Sequence, residues 1–299
     1  MKSGILNLYK EAGMTSHDAV ARVRRLFGTR KVGHTGTLDP EATGVLPILI
    51  GTAVKACDLV PHEKKTYRAR VRFGFATDTE DVWGKTVEEN GLLPDRDAFA
   101  RAVASFQGEY AQIPPMMSAV KIGGKKLYEY ARAGIEIERP ARTVTVHAIT
   151  LLSFDGAEAE IRATVSRGTY IRTLLCDICR RLGVLGAMSA LEREESGIFT
   201  MDRTVTLAQL EALDAAARYE TLVPTEGLFE EFPVLSVSPF YFKLLQNGCA
   251  VQTAKLSTAA AVGDCLRLYE NGRFYALAPV LETEEGAALK IVKRFSDEA

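Results

Sequence analysis

The chain has 299 residues, 37 lysines and arginines against 38 aspartates and glutamates, and 47% apolar residues. That length and composition fit one large soluble domain or a large and a small one, and no apolar run approaches the roughly 20 residues a membrane-crossing helix needs. The five cysteines (Cys57, Cys176, Cys179, Cys249, Cys265) are scattered and odd in number, and the opening MKSGILNLYKEAG has too short an apolar part for a secretory signal, so a reducing, cytoplasmic setting is expected.

The near-neutral total conceals an asymmetry. Residues 1–181 carry 27 lysines and arginines and 21 acids, a net +6; residues 182–299 carry 10 and 17, a net -7. A basic front part suits an anionic partner there, and a random excess of surface cations explains it equally well.

In chain order, Ser16 is expected to cap a helix over HDAVARVRRLFG. Val20, Val23 and Phe27 recur at helical spacing, and Gly28 can close the end. Residues 19–38 hold five cations (Arg22, Arg24, Arg25, Arg30, Lys31) and no acid. GHTGTLDPEATGVLPI, residues 33–48, follows, with Asp39 set among Gly33, Gly36 and Gly44. With Pro40 at the next position, Asp39 is a good N-cap. The glycines would also let a polymer backbone come close. A carboxylate at the end of a cationic path binds phosphate poorly, which argues for chemistry. On the residues alone both readings stay open.

YRARVRFG alternates strictly. Tyr67, Ala69, Val71 and Phe73 share one face and Arg68, Arg70 and Arg72 the other, a half-buried strand with a basic outer face. Residues 75–98 read as a polar connection, and DRDAFARAVASFQG as a helix with Phe99, Val103 and Phe106 on one side. QIPPMMSAVKIGGKKLYEYARAG interleaves Lys121, Lys125, Lys126 and Arg132 with Tyr128 and Tyr130. That mix suits phosphates beside stacked bases, and equally an exposed helix with tyrosines packed inward.

RTVTVHAITLLSF and AEAEIRATVS read as strands joined by an Asp155-Gly156 turn. GTYIRTLLCDICRRLG begins extended and becomes a helix with Ile171, Leu174, Leu175, Ile178 and Leu182 as its stripe and Gly183 as its end. Arg172, at that junction, is the natural partner for Asp39, because a guanidinium keeps a half-buried carboxylate ionised; an ordinary surface arginine is the alternative. The acidic stretch 192–231 is expected to be helical in part, around LAQLEALDAAARYE. From Phe232-Pro233 onward, short strands, one pair joined by Asn271-Gly272, suggest a small β appendage.

Cys176 and Cys179 form a C-x-x-C inside a helical apolar pattern with no second pair nearby, which favours core packing over zinc. No P-loop, no G-x-G-x-x-G after a strand and no G-x-S-x-G is present, so no nucleotide-driven or redox machinery is visible.

GHTGTLDPEATGVLPI, KTYRARVRFG, IPPMMSAVKIGGKKLYEYARAGIEIERPARTV and SRGTYIRTL, in this order, closely resemble the bacterial TruB family of tRNA pseudouridine synthases, which act on uridine 55 of the T-loop. The resemblance runs over about residues 4–199, and the tail over about residues 233–295 is similar to a small PUA-like RNA-binding domain. It implies an α+β catalytic domain over residues 1–230, with a mixed, mostly antiparallel sheet and flanking helices (the pseudouridine synthase fold), and a PUA-like β domain over 231–299. It implies isomerisation of a flipped uridine with no metal, nucleotide or redox cofactor, on the tRNA T-arm, by a monomer that requires no protein partner.

For the site, the resemblance implies that Asp39 is catalytic, by attacking the substrate or by removing a ribose proton, and that Arg172 pairs with it. Tyr67 is expected against the target base, where it could move the C5 proton. Tyr170 and Leu191 are expected to line the uridine pocket, His34 to contact the T-loop as the uridine is displaced, and Lys55 to stand at the pocket's side. Flipping a base costs a few kcal/mol, which the basic and aromatic residues of 19–38, 64–72 and 121–142 could offset. Two departures stand out. Lys10-Glu11 occurs where the family has Lys-Pro, and Glu192, Glu194 and Glu195 lie in a segment that is usually basic. The competing readings are an RNA-guided subunit of a multi-protein particle and a non-catalytic RNA-folding protein. A glycosidase would need a second placed carboxylate, for which Glu41 is a weak candidate.

Overall fold

The computed structural model describes residues 2–59 and 64–295; Met1 and residues 296–299, the outer ends of the two expected domains, lie outside the described residues. β1 (Gly4–Lys10) leads into α1 (Ser16–Leu26). The cap of α1 is Thr15, not Ser16: the Thr15 hydroxyl accepts from the Asp18 N–H while the Asp18 carboxylate accepts from the Thr15 N–H. The one-residue shift leaves Ser16 free for another task. β2 (Val32–His34) and β3 (Thr43–Ile50) flank the Asp39 loop. No helix follows Asp39, so it caps none; a single turn, Ala42 N–H to Asp39 C=O at 3.1 Å, returns the chain to β3.

β4 (Lys65–Phe73) alternates as its sequence requires, with Tyr67, Ala69, Val71 and Phe73 buried and Arg68, Arg70 and Arg72 exposed. Residues 75–98 are more ordered than a polar connection: β5 (Phe75–Thr77) and β6 (Thr86–Glu89) form a hairpin, and α2 (Arg96–Ala104) starts at an Asp95 cap. β7 (Gly108–Gln112) follows. The chain then leaves the sheet at Gln112 and rejoins it opposite, at Arg142. Between them lie a small hairpin, β8 (Lys121–Ile122) and β9 (Lys125–Lys126), and α3 (Leu127–Arg132).

β10 (Arg142–Phe154) and β11 (Glu158–Val165) are the expected hairpin, and α4 (Ile171–Arg181) the expected helix, followed by Gly183 at φ 68°. β12 (Gly186–Ser196), β13 (Phe199–Thr200), α5 (Leu207–Ala212) and α6 (Ala215–Glu220) complete this part. Its sheet runs β1-β3-β12-β4-β11-β10-β7, with β2 on β3 and β13 on β12. Among the described residues, only β3 and β12 of its strands run parallel, so the sheet is mixed and mostly antiparallel. α4 packs on β12 and β4, and α2 on β10 and α4. One buried cluster reaching from Leu6 to Leu222 fills this part, with Tyr67, Leu38, Ile171 and Leu191 among its members.

The second part is β-rich. β14 (Val234–Leu235), α7 (Pro239–Gln246), β15 (Val251–Gln252), β16 (Cys265–Glu270), β17 (Arg273–Thr283), β18 (Gly286–Leu289) and β19 (Lys293–Arg294) follow in order. The strands form a separate sheet, β14-β16-β17-β18-β15 with β19 on β17, over a core of its own that includes Leu245, Leu266, Leu268, Val280 and Leu289. Asn271 (φ 50°) and Gly272 (φ 76°) make its tight turn, a left-handed pair that this dipeptide adopts readily. A small cluster of Ala56, Phe229, Leu277 and Phe295 joins the two parts. Among the described residues, no helix is long and apolar enough to cross a membrane.

Candidate active site

The Asp39 loop is held in shape by groups beneath it. The Ser16 hydroxyl, released from capping, accepts from Leu38 N–H at 2.8 Å and donates to Leu38 C=O at 3.0 Å. Leu38 itself is buried, so the adjoining Asp39 is turned outward. Lys10 is fully buried, and its Nζ donates to the carbonyls of Glu11, Pro40 and Ala42 at 2.7–3.0 Å. Burial lowers the Lys10 ammonium to about 8, while Glu41 and Asp39 pull it upward. Arg193, also fully buried, donates from Nε to Val45 C=O at 2.7 Å and from Nη2 to Gly36 C=O at 3.1 Å. The loop therefore rests on two interior cations bonded to its backbone and to that of β3. Buried backbone carbonyls demand such partners.

Gly44 makes the close pairing of β3 with β12 feasible. Its φ is 104°, and a Cβ there would stand 2.2 Å from Arg193 O. Only a residue without a side chain permits that approach.

Asp39 and Arg172 meet as expected. Arg172 Nε lies 3.0 Å from Asp39 Oδ2; the Arg172 side chain is 6% exposed and that of Asp39 39%. The cation is thus the buried partner and the carboxylate the open one, accessible to a ligand. The guanidinium is framed on its other side: Nη1 donates to Thr79 C=O at 2.6 Å, Nη2 donates to Met117 C=O at 3.0 Å, and Asp81 Oδ2 lies 3.9 Å from Nη1. A planar fork with fixed donors suits this multi-point seating.

Glu80 shapes the frame. It has φ 66°, a left-handed backbone that is uncommon outside glycine. The turn at Glu80 lets its two neighbours, Thr79 through its carbonyl and Asp81 through its carboxylate, both face Arg172. The Glu80 carboxyl bonds the Thr173 hydroxyl at 2.5 Å, and burial raises its pKa.

Tyr67 lies on the inner face of β4 opposite Ala163 and Arg193, 8% exposed. Leu191, on β12, belongs to the same buried cluster. Tyr170 is half-buried and is the residue at which α4 starts. His34 ends β2. Its Nδ1 has no hydrogen-bond partner among the described residues, and burial, with Arg193, His17 and Lys65 adding to it, lowers its pKa. Lys55 is exposed and donates to Arg294 C=O at 3.0 Å, toward the β-rich part.

Several expected RNA contacts are engaged within the protein. On the outer face of β4, Arg68 pairs with Glu160 at 2.7 Å, Arg72 with Glu158 at 2.8 Å, and Arg70 lies near both. These arginines face away from Tyr67, because alternate strand residues point to opposite faces. The acids of β12 are likewise occupied. Tyr9 bonds Glu192, Arg162 pairs with Glu194 and Glu195, and Thr66 donates to Glu195. On the excursion from the sheet, Lys126 and Arg132 lie over the Tyr128 ring and Lys125 over that of Tyr130. The Cys176 thiol donates to Gly186 C=O and both helix cysteines have pKa values raised by burial, which is the behaviour of core thiols. Among the described residues, no group of three or more His, Cys, Asp or Glu could hold a metal ion. A cavity of about 630 Å³ lies against α4, lined by Phe106, Tyr110, Thr173, Asp177, Arg180 and Arg181; neither Asp39 nor Tyr67 lines it.

Comparison with known proteins shows the family of the chain. The description "TruB family pseudouridylate synthase (N terminal domain)" matches residues 24–171, and "tRNA pseudouridylate synthase B C-terminal domain" matches residues 172–230. A tRNA pseudouridine synthase B of Bacillus licheniformis is 46% identical over 261 residues, 85% of this chain and 84% of that one. The chain belongs to the TruB family of pseudouridylate synthases. The tRNA pseudouridine synthase B of Bacillus subtilis is 43% identical over 286 residues, 93% of both chains. Among solved structures, this TruB-family synthase is similar to a chain in the crystal structure of a Cbf5-Nop10-Gar1 complex, with a TM-score of 0.74 and 26% identity over 99% of this chain and 85% of that one.

Sequence reasoning missed Lys10, Arg193, Asp81 and Ser16 as parts of the site. A signal existed for two of them. Leu6, Leu8 and Lys10 share one face of β1, and Leu191 and Arg193 share one face of β12, so alternation carries both cations inward.

Proposed function

We propose that this TruB-family synthase converts one uridine of the tRNA T-loop into pseudouridine, alone and as a cytoplasmic monomer on naked RNA, with Asp39 as the catalytic carboxylate. The observation that carries the proposal is the seating of Asp39, partly exposed yet 3.0 Å from a buried guanidinium. In the isomerisation the C1′–N1 bond breaks and a C1′–C5 bond forms; C5 then loses its proton and N1 ends with one, so nothing is added or lost. A carboxylate serves by attack at C1′ or by taking a ribose proton, and both roles require it ionised. Arg172 holds it so.

In this proposal Tyr67 lies against the extruded base and moves the C5 proton. Leu191 and Tyr170 wall the pocket, and His34 meets the loop that the uridine leaves. Lys55 meets the RNA from the junction with the β-rich part. Residues 1–230 act as the catalytic domain and 231–299 as a PUA-like RNA-binding domain. Relatives of 43–46% identity are named tRNA pseudouridine synthase B, which favours a tRNA substrate over the RNAs of a guided particle. The test is incubation of the purified chain with a T-arm RNA and no guide, followed by carbodiimide mapping. Pseudouridine at one T-loop uridine is expected; an unmodified T-arm would contradict the proposal.

A further inference from the structure

We propose that Gln112 is a positioning residue for the Asp39–Arg172 pair, acting through the backbone of Tyr170; the inference rests on the reading of that pair given above. Gln112 is the last residue of β7 and is 2% exposed. Its carboxamide faces Tyr170 as a neighbouring strand would. Oε1 accepts from Tyr170 N–H at 2.8 Å, and Nε2 donates to Tyr170 C=O at 3.0 Å. Nε2 also donates to the Tyr110 hydroxyl. Both amide hydrogens are therefore used, and the amide has one workable orientation.

The clamp falls where α4 lacks a cap of its own. Tyr170 occupies the N-cap position with extended backbone, φ -98° and ψ 112°, and its side chain caps nothing. Its carbonyl also accepts from Leu174 N–H at 3.0 Å, the first bond of the helix. Gln112 thus fixes the residue from which α4 starts, two positions before Arg172. The guanidinium must then reach Asp39, Thr79 and Met117 at once. An error in the backbone at Tyr170 moves all three bonds together.

Met117 adds a second tie. Segment 112–117 is bonded to the start of α4 at both ends, Gln112 to Tyr170 and Met117 to Arg172. The excursion carrying Lys121, Lys126, Tyr128 and Arg132 is continuous with this segment. A purely structural Gln112 would satisfy two buried backbone groups and nothing more. Its loss would then lower stability without slowing chemistry in the molecules that remain folded.

The test uses the full chain with T-arm RNA. Gln112→Glu is isosteric and keeps the acceptor but sets a carboxylate against Tyr170 C=O; Gln112→Leu removes both bonds. Single-turnover rate, RNA affinity and folded fraction are measured beside the unchanged protein and Asp39→Ala. The rate per folded molecule is expected to fall about 10- to 100-fold in both variants, with RNA affinity within about twofold. A rate within about twofold of the unchanged protein, a loss that follows RNA affinity or folded fraction, or failure of both variants to fold would overturn the proposal. Activity surviving in Asp39→Ala would instead overturn the reading of the pair beneath it.

Discussion

At the scale of single residues, the site depends on cations placed where water cannot replace them. Arg172 reaches Asp39, Thr79 and Met117 with three different nitrogens, a geometry that one ammonium cannot reproduce. Arg172→Lys keeps the charge and loses the fork. It is expected to slow turnover by about 100-fold or more while RNA affinity changes little, read as a fall in kcat at near-constant KM. His34 supplies a pH prediction. Burial, then Arg193, His17 and Lys65, lower its pKa below the usual 6.5, so the unfolded chain takes up the proton first as pH falls. The stability that neutral His34 contributes is complete above 6.5 and is lost as pH falls through the lowered value. A proton NMR titration of the imidazole should give a midpoint below 6.5, and His34→Gln should flatten the acid-side loss of stability.

At the scale of elements, the junctions matter more than the helices and strands themselves. Gly44 lies opposite Lys10 on one side and Arg193 on the other, where three strands carry the Asp39 loop. Gly44→Ala combines a positive φ with a 2.2 Å clash against backbone. It is expected to cost about 3 kcal/mol or more, measured as a shift in the urea unfolding midpoint. The elements were largely legible in the sequence. Alternation found β4, the Asp155-Gly156 and Asn271-Gly272 turns found two hairpins, and the stripe of Ile171, Leu174, Leu175 and Ile178 found α4. The misses have physical causes. Thr15 and Ser16 are equivalent as caps by chemistry, and the choice was settled by a tertiary bond to Leu38 that local sequence does not encode. Asp39-Pro40 offers a cap to a helix that never forms, because the next residues, Thr43–Ile50, are drawn into the sheet.

At the scale of the whole molecule, the front half's net +6 is not all available to a polyanion. Arg68, Arg70, Arg72 and Arg162 are paired with Glu158, Glu160, Glu194 and Glu195 across neighbouring strands. Pairs this open to solvent on the arginine side contribute modestly to stability, but they neutralise the outer face. The exposed cations Arg22, Arg25, Arg30, Lys31 and Lys121 remain as candidate RNA contacts. The pair at the centre, Asp39 and Arg172, was identified through motifs rather than periodicity, since neither residue lies in a pattern that packing explains. Lys10 and Arg193 show only in the alternation of β1 and β12, which places each on the face that carries buried leucines.

The most direct measurement compares the unchanged chain with Asp39→Ala on a T-arm RNA in single turnover, with pseudouridine mapped by carbodiimide-blocked reverse transcription and RNA affinity measured in parallel. If Asp39 performs the chemistry, the unchanged chain modifies one T-loop uridine and the variant modifies none, while binding RNA within about threefold as tightly. Pseudouridine formed by Asp39→Ala at a rate near that of the unchanged chain would contradict the central role given to this carboxylate.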